Sequence, residues 1–355
     1  MAKHVPLYQF GVNNFTNMGI QDRKKDHINL TINGDAEYDH ATGFEQFRLK
    51  HCSIPELDLS DIDTSVEVFG RKFSIPLFIS SMTGGSSEMG QVNRIIAEVC
   101  EEYKLPMGVG SQRIMLEDAS SIPSFSIVRD VAPSAFIAAN IGGVQIRNGI
   151  SDKDLRLLCD SIKADAIIVH LNVLQELMQP EGDRHFIGIL DGISSLVKQA
   201  KCPVIVKETG AGISGVDAQR LYMSGVRYID VAGSGGTSWA KVENFRQSSD
   251  QNYSIFNEWG TPTVQCLAEI NNLKLNDLVV ISSGGIRSSL DILKSIALGA
   301  DICATAQPII KIMHEQGKKG LIKFIEQWTN EIRMGLLLMG TQSISELNSN
   351  HLSKV

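Results

Sequence analysis

The chain has 355 residues, 43% of them hydrophobic and 21% charged, with a formal net charge of −7. That composition supports one large soluble core. With no basic block to offset it, the negative balance excludes a general nucleic-acid or membrane-surface binder. The six cysteines (Cys52, Cys100, Cys159, Cys202, Cys266 and Cys303) are scattered, with no CxxC pair and no zinc-like spacing. Neither a disulfide framework nor a structural zinc site is expected, and Cys202 and Cys303 read as inert thiols buried in apolar runs. The N-terminus lacks the apolar core of a signal peptide, and no apolar run approaches the about 18 residues of a membrane span. A reduced, cytoplasmic protein is expected.

In chain order, residues 1 to about 70 mix charges and turn residues with short strand-like pieces at Phe44–Leu49 and Val66–Phe73. They read as an N-terminal extension packed on the main domain and reaching toward its active face. Its only compact basic cluster, Arg23-Lys24-Lys25, suits a phosphate group rather than a nucleic-acid face. From Pro76 onward eight short apolar runs alternate with amphipathic stretches. The runs are Pro76–Ser81, Leu105–Val109, Ala135–Ile141, Ala166–His170, Pro203–Lys207, Tyr228–Ala232, Leu278–Ser282 and Asp301–Ala304. Between them lie helix-like segments such as Glu88–Tyr103, Asp152–Lys163, Gly188–Gln199, Gly215–Ser224 and Ser288–Leu298. Strands apolar on both faces and alternating with helices predict an α/β fold, a single (β/α)8 TIM barrel over residues 71–341. An open doubly wound sheet is the alternative, disfavoured because glycine-rich turns follow nearly every strand. A helix over about Lys318–Gly340 closes the ring, and the polar tail, residues 342–355, is expected to fray.

In this fold the catalytic face lies at the C-terminal ends of the strands, and here every strand ends in polar or glycine residues. Gly235-Gly236-Thr237 and Gly284-Gly285 offer backbone N–H groups where a phosphate can approach closely. Lys207 ends the apolar strand Val204-Ile205-Val206. It either pairs with a buried carboxylate or faces the site as a cation, and Glu208 should point to the opposite face. Asn140 and Gln112 are amide candidates for a heterocycle edge. The densest stretch is His170-Leu171-Asn172-Val173-Leu174-Gln175-Glu176, followed by Pro180-Glu181-Gly182-Asp183. Its side chains could hold a divalent metal, orient a charged ligand or relay protons. As a lone carboxylate, Glu176 suits Mg²⁺ completed by water and substrate oxygens better than Zn²⁺.

Taken together, Arg-Lys-x-x-His at 23–27, Ser-Met-Thr-Gly-Gly at 81–85, Gly-Ser-Gln-Arg at 110–113, His-x-Asn-x-x-Gln-Glu at 170–176, Pro-Glu-Gly-Asp at 180–183 and Gly-Gly-Thr-x-Trp at 235–239 resemble the type 2, FMN-dependent isopentenyl-diphosphate delta-isomerases. The resemblance runs over nearly the whole chain. It implies FMN across the barrel mouth, contacted by Ser81, Met82, Thr83, Ser111, Asn140 and Lys207. The flavin phosphate would be held by Thr237, Gly285, Ile286, Arg287, Ala306 and Gln307. Arg23, Lys24, Ser111, Gln112 and Arg113, with His170 and Asn172, would grip the substrate diphosphate. Glu176 would bind the bridging Mg²⁺, and Gln175 would sit by the reacting alkene as the catalytic residue. The family interconverts isopentenyl and dimethylallyl diphosphate without net redox, using reduced flavin as acid–base catalyst, with NADPH as reductant. It also implies a homotetramer or an octamer, and no nucleic-acid or membrane partner.

That chemistry suits the residues. Moving a double bond adds one proton and removes another, and the strand ends offer no obvious carboxylate pair for the task. A cofactor that carries the protons resolves the shortage. An oxidase of 2-hydroxy acids would need a base histidine before the Gly-Gly pair after strand six, where this chain has Ser234. A relative of inosine-monophosphate dehydrogenase would need a loop cysteine, and a purely regulatory barrel would not need Gln175 and Glu176.

Overall fold

A computed structural model describes residues 30–32, 36–82, 84–246 and 253–355. Eight parallel strands close into a barrel: β1 (Leu77–Ile79), β2 (Met107–Gly108), β3 (Ile137–Gly142), β4 (Ala166–Leu171), β5 (Val204–Glu208), β6 (Tyr228–Asp230), β7 (Val279–Ser282) and β8 (Ile302–Thr305). Each pairs with its neighbours in sequence, and β8 pairs with β1. All eight expected strands are present, so the closed barrel stands and the open sheet is excluded.

Alternation along the strands divides the core in two. Outward side chains such as Leu77, Ile137, Ile167, Val169 and Val206 pack under the helices. Inward ones, including Phe78, Ala138, Ile168, Ile205, Ile281 and Ile302, fill the barrel. The helices start where the sequence supplies caps. Ser86, Ser151, Ser214 and Ser288 each accept a hydrogen bond from the first turn of Ser87–Tyr103, Asp152–Asp160, Gly215–Met223 and Ser289–Ala297, which satisfies one otherwise orphaned N–H per helix. The helical span Gln307–Met339 is broken at Gly317, whose φ of 63 only glycine adopts without strain, and the piece after the break is the expected last helix, 318–339.

The N-terminal extension seals the barrel's lower end. A hairpin, Val66–Val68 with Arg71–Phe73, turns at Phe69 and Gly70, both at positive φ. The turn drives the Phe69 ring against Phe136, 4.8 Å between centroids, with Phe73, Phe78 and Tyr228 around it. The tail does not fray. Leu352–Lys354 pairs antiparallel with Phe47–Leu49, while Ile344, Leu347 and Leu352 are buried. The polar composition of residues 342–355 hid three well-spaced apolar anchors. Among the cysteines, Cys303 is buried on β8, but Cys202 precedes β5 and is only half-buried. Among the described residues, no helix is long and apolar enough to cross a membrane.

Truncating Leu352→Ala removes one anchor and the packing of that strand pair. A loss of about 2–3 kcal/mol is expected, read as a lower Tm by calorimetry. An unchanged Tm would mean that the tail contributes nothing to the fold.

Candidate active site

A cavity opens at the C-terminal face of the barrel, and its floor is built by strand parity. Asn140 on β3, His170 on β4 and Lys207 on β5 point inward and line it, with Ser283 beyond β7. The parallel register sets His170 beside Lys207, and Lys207 beside the buried Asp230 of β6. Glu208 turns the other way, as alternation requires. Its carboxylate accepts N–H bonds from the turn Thr209–Gly212; Glu208 therefore shapes the loop after β5 while Lys207 faces the cavity.

The imidazole on the floor has a defined protonation. Asn140 Nδ2 donates to the Val109 carbonyl (3.0 Å), so its Oδ1 is left to accept from His170 Nδ1 (2.8 Å). His170 thus keeps its proton on Nδ1 and offers Nε2 as an acceptor. Burial, reinforced by the neighbouring Lys207 charge, pushes its pKa down to about 4. In this state His170 is a neutral acceptor rather than a cationic diphosphate anchor.

The wall after β4 carries the densest motif. Asn172 ends the strand and the helix Val173–Met178 begins, so Gln175 reaches the cavity from its first turn. Gln175 Nε2 donates to Glu243 Oε1 at 2.8 Å, and Gln179 Nε2 does so at 2.6 Å. Glu243 is 1% exposed and also holds Arg246. Sequence reasoning passed over Glu243, although it stands four residues after Trp239 of the Gly-Gly-Thr-x-Trp motif, one helical turn along the same face. Glu176 lies just off the cavity. Its two oxygens accept from Asn172 Nδ2 (2.9 Å) and the Asp183 N–H (2.8 Å). A Cβ on Gly182 would lie 2.0 Å from the Glu176 carbonyl, so only glycine lets the Pro-Glu-Gly-Asp loop fold this closely.

Three expected ligand contacts are placed elsewhere. Gln112 is wholly buried behind the wall; its Nε2 donates to the Leu158 carbonyl (3.0 Å) and its Oε1 accepts the Asn140 N–H (2.9 Å). An amide bonded at both ends inside the core supports Asn140 and does not line the cavity. Arg113, the first residue of a short helix, points away and pairs with Glu117 at 2.9 Å. Asn172 donates to Glu176 and does not line the cavity. Ser81, Met82, Ser111, Asn140, His170, Gln175, Lys207, Thr237, Gly285, Ile286, Arg287, Ala306 and Gln307 all line the cavity. Arg23, Lys24 and Thr83 lie outside the described residues.

A strap from the N-terminal extension, residues 36–44, forms the wall over β6 to β8. Tyr38 donates its N–H to the Gly236 carbonyl (2.9 Å), and Ser238 donates to Ala36 (2.7 Å). Thr42 packs so tightly that a Cβ on Gly235 would lie 2.6 Å from its nitrogen and one on Gly285 2.3 Å from its methyl, and both glycines have positive φ. Glu37 Oε1 accepts from Gln307 Nε2 (2.8 Å) and from Arg287 (3.5 Å). His40 bridges Glu258 through Nδ1 (2.9 Å) and Ser234 Oγ through Nε2 (2.8 Å).

This lining fits a flavin mononucleotide. Ser81 Oγ is buried in the wall with no hydrogen-bond partner among the described residues. The Gly285 and Ile286 N–H groups likewise find no acceptor among them, and Thr237, Arg287 and the start of the helix at Gln307 surround that point. A phosphate there would place an aromatic ring toward Met82, Asn140 and Lys207. No three His, Cys, Asp or Glu residues converge on a metal position among the described residues. Any Mg²⁺ would rest on Glu176 alone, whose oxygens each retain a lone pair, with water and substrate oxygens completing the shell.

The architecture is that of an FMN-binding barrel, and the FMN-dependent dehydrogenase family model matches residues 171–354. The chain belongs to the isopentenyl-diphosphate delta-isomerases, in their FMN-dependent type 2 form. The isopentenyl-diphosphate delta-isomerase of Chlorobium luteolum is 43% identical over 93% of this chain and 94% of its own. That of Chlorobium limicola is 44% identical over 93% and 95%, and that of Nostoc sp. 41% over 92% and 94%. Solved structures share the fold at lower identity. Flavocytochrome b2 with pyruvate bound aligns at TM-score 0.66 and 20% identity over 92% of this chain and 82% of that one. Mandelate oxidase with (S)-4-hydroxymandelic acid aligns at 0.63 and 16% over 94% and 98%.

The depressed His170 pKa has a signed consequence. The folded protein binds this proton less tightly than the unfolded chain, whose imidazole titrates near 6.5. Its stability is therefore full above about pH 6.5 and is lost as pH falls toward 4, by up to about 1.4 kcal/mol per pH unit. Thermal melts across that window should show the slope, and His170→Gln should flatten it. An equally steep slope in the variant would refute the assignment.

Proposed function

We propose that this protein interconverts isopentenyl diphosphate and dimethylallyl diphosphate, with FMN kept reduced by NADPH or an equivalent donor and Mg²⁺ bound with the substrate. One observation carries the reading: no carboxylate lines the cavity among the described residues, whose ionisable lining groups are His170, Lys207 and Arg287. Shifting the double bond requires a proton added at one carbon and another removed two carbons away. Neutral His170 is a weak base with its Nδ1 proton committed to Asn140, and the two cations are poor bases. Bound reduced FMN would supply the acid–base group the lining lacks.

The chain's own residues then orient and screen. Gln175, fixed by Glu243, would hold a polar amide against the alkene, with the Glu243 carboxylate directly behind it. Lys207 would stabilise negative charge on a bound flavin ring, while Thr237, Arg287 and the Gly285–Ile286 N–H groups would hold its phosphate. Glu176 would anchor Mg²⁺, with Arg23 and Lys24 contributing to the diphosphate site. Self-association into a tetramer or octamer belongs to the same proposal and is read by light scattering.

The purified protein should be yellow, bleach with NADPH or dithionite, and convert isopentenyl diphosphate only when reduced and only with Mg²⁺. A preparation unable to take up FMN would overturn the reading. Gln175→Ala should lower kcat by on the order of 100-fold while shifting the FMN Kd less than about threefold. Such a split marks an interaction made with the reacting centre. Glu176→Gln should raise the Mg²⁺ concentration needed for half-maximal rate by at least about tenfold; an unchanged Mg²⁺ dependence removes Glu176 from the metal site.

A further inference from the structure

We propose that Asp230 is a positioning residue for the flavin ring, acting as the buried counter-charge of Lys207 and so keeping the reduced ring electron-rich and basic. The inference rests on the FMN reading above and extends it to a residue outside the cavity lining.

Three observations converge on it. The β5–β6 register pairs Lys207 with Asp230, and paired residues on parallel strands point to the same side, here into the barrel. Asp230 is 4% exposed, in the same inward row as Lys207 but outside the cavity lining, and its carboxylate accepts from the Ser283 hydroxyl and from the Ala232 N–H (3.3 Å). Both donors are neutral, so Lys207 is the charge that balances it. Burial pushes the Asp230 carboxyl upward, and of the influences that oppose this the Lys207 charge is the largest. Lys207 Nζ donates to the Glu208 carbonyl (2.5 Å) rather than to a carboxylate, so its charge still faces the cavity while Asp230 offsets part of it from behind. His170 on the other side is neutral, and the row holds one cation and one anion.

The consequence for a bound flavin has a definite sign. Two-electron reduction adds negative charge to the ring, which Lys207 favours and Asp230 disfavours through the low-dielectric floor. Asp230 therefore holds the reduced ring at higher energy and higher proton affinity than Lys207 alone would allow. A cofactor that must lend and recover a proton gains from that balance.

The test is the FMN midpoint potential of the holoenzyme, measured during slow two-electron reduction against a reference dye. Asp230→Asn, which keeps the shape and the acceptor for Ser283, should shift the potential positive and leave the FMN Kd within about threefold, since the phosphate groups are untouched. Asp230→Glu, which keeps the charge, should stay near the parent value; if the asparagine variant does not fold, Asp230→Ser removes the charge in its place. A potential unmoved or shifted negative by charge removal in a protein that binds FMN overturns the role of Asp230 alone. A parent protein that takes up no FMN overturns the flavin reading, and this proposal falls with it.

Discussion

The structure depends on parallel register near the barrel mouth. Because paired residues on neighbouring strands face the same way, Gly142, His170, Lys207 and Asp230 fall in one inward row across β3 to β6. A slip of one residue in any strand would send its polar member under the helices and bring an apolar one to the cavity. The hydrophobic layers below and the aromatic hairpin at the base hold that register. The row can then carry a half-buried lysine, because a carboxylate stands beside it and the imidazole next to it is neutral. Removing Lys207 would leave the buried Asp230 carboxylate without that opposing charge. Stability and chemistry thus bear on the same side chains.

The second constraint comes from outside the barrel. The strap over β6 to β8 is bonded to the loop that would receive the flavin phosphate, and Thr42 fills the space beside Gly235 and Gly285. Those glycines are required both by their backbone angles and by the strap. The extension is itself pinned at its other end, where Phe47–Leu49 pairs with the chain's last strand. The described part of the extension therefore ties the loop after β6 to the chain's last strand.

Eight strands were legible because each is a short apolar run bounded by glycine or polar residues, a pattern that depends on local sequence alone. Lys207 was legible because a cation at the end of such a run has few other uses, whereas Gln175, inside the helix that follows β4, was marked only by the family resemblance. Asp230 interrupts its own run in the same way and could have been found by the same reasoning. Gln112 could not have been judged from sequence, since a buried amide bonded at both ends reads like a ligand contact until Leu158 and the Asn140 N–H are seen beside it. The strap and the tail were opaque for another reason. Their anchors, Thr42, Glu37, His40 and Leu352, work through partners about 200 or more residues away, and no periodicity within the segment announces such contacts.

Barrels with this fold at under 25% identity include hydroxy-acid oxidising enzymes, so the fold alone leaves the chemistry open and the strand ends must decide it. Before Gly235-Gly236 this chain has Ser234, wholly buried and bonded to His40, which is bonded in turn to Glu258. The order serine, histidine, carboxylate matches a hydrolytic triad in spacing, yet a nucleophile with no exposed surface cannot meet a substrate, and neither Ser234 nor His40 lines the cavity. The three groups act as a fastener between strap and phosphate loop. Using them so takes the position after β6 out of proton chemistry and leaves a cavity with amides, two cations and one weakly basic imidazole. A site of that kind binds and orients anions well and moves protons poorly by itself.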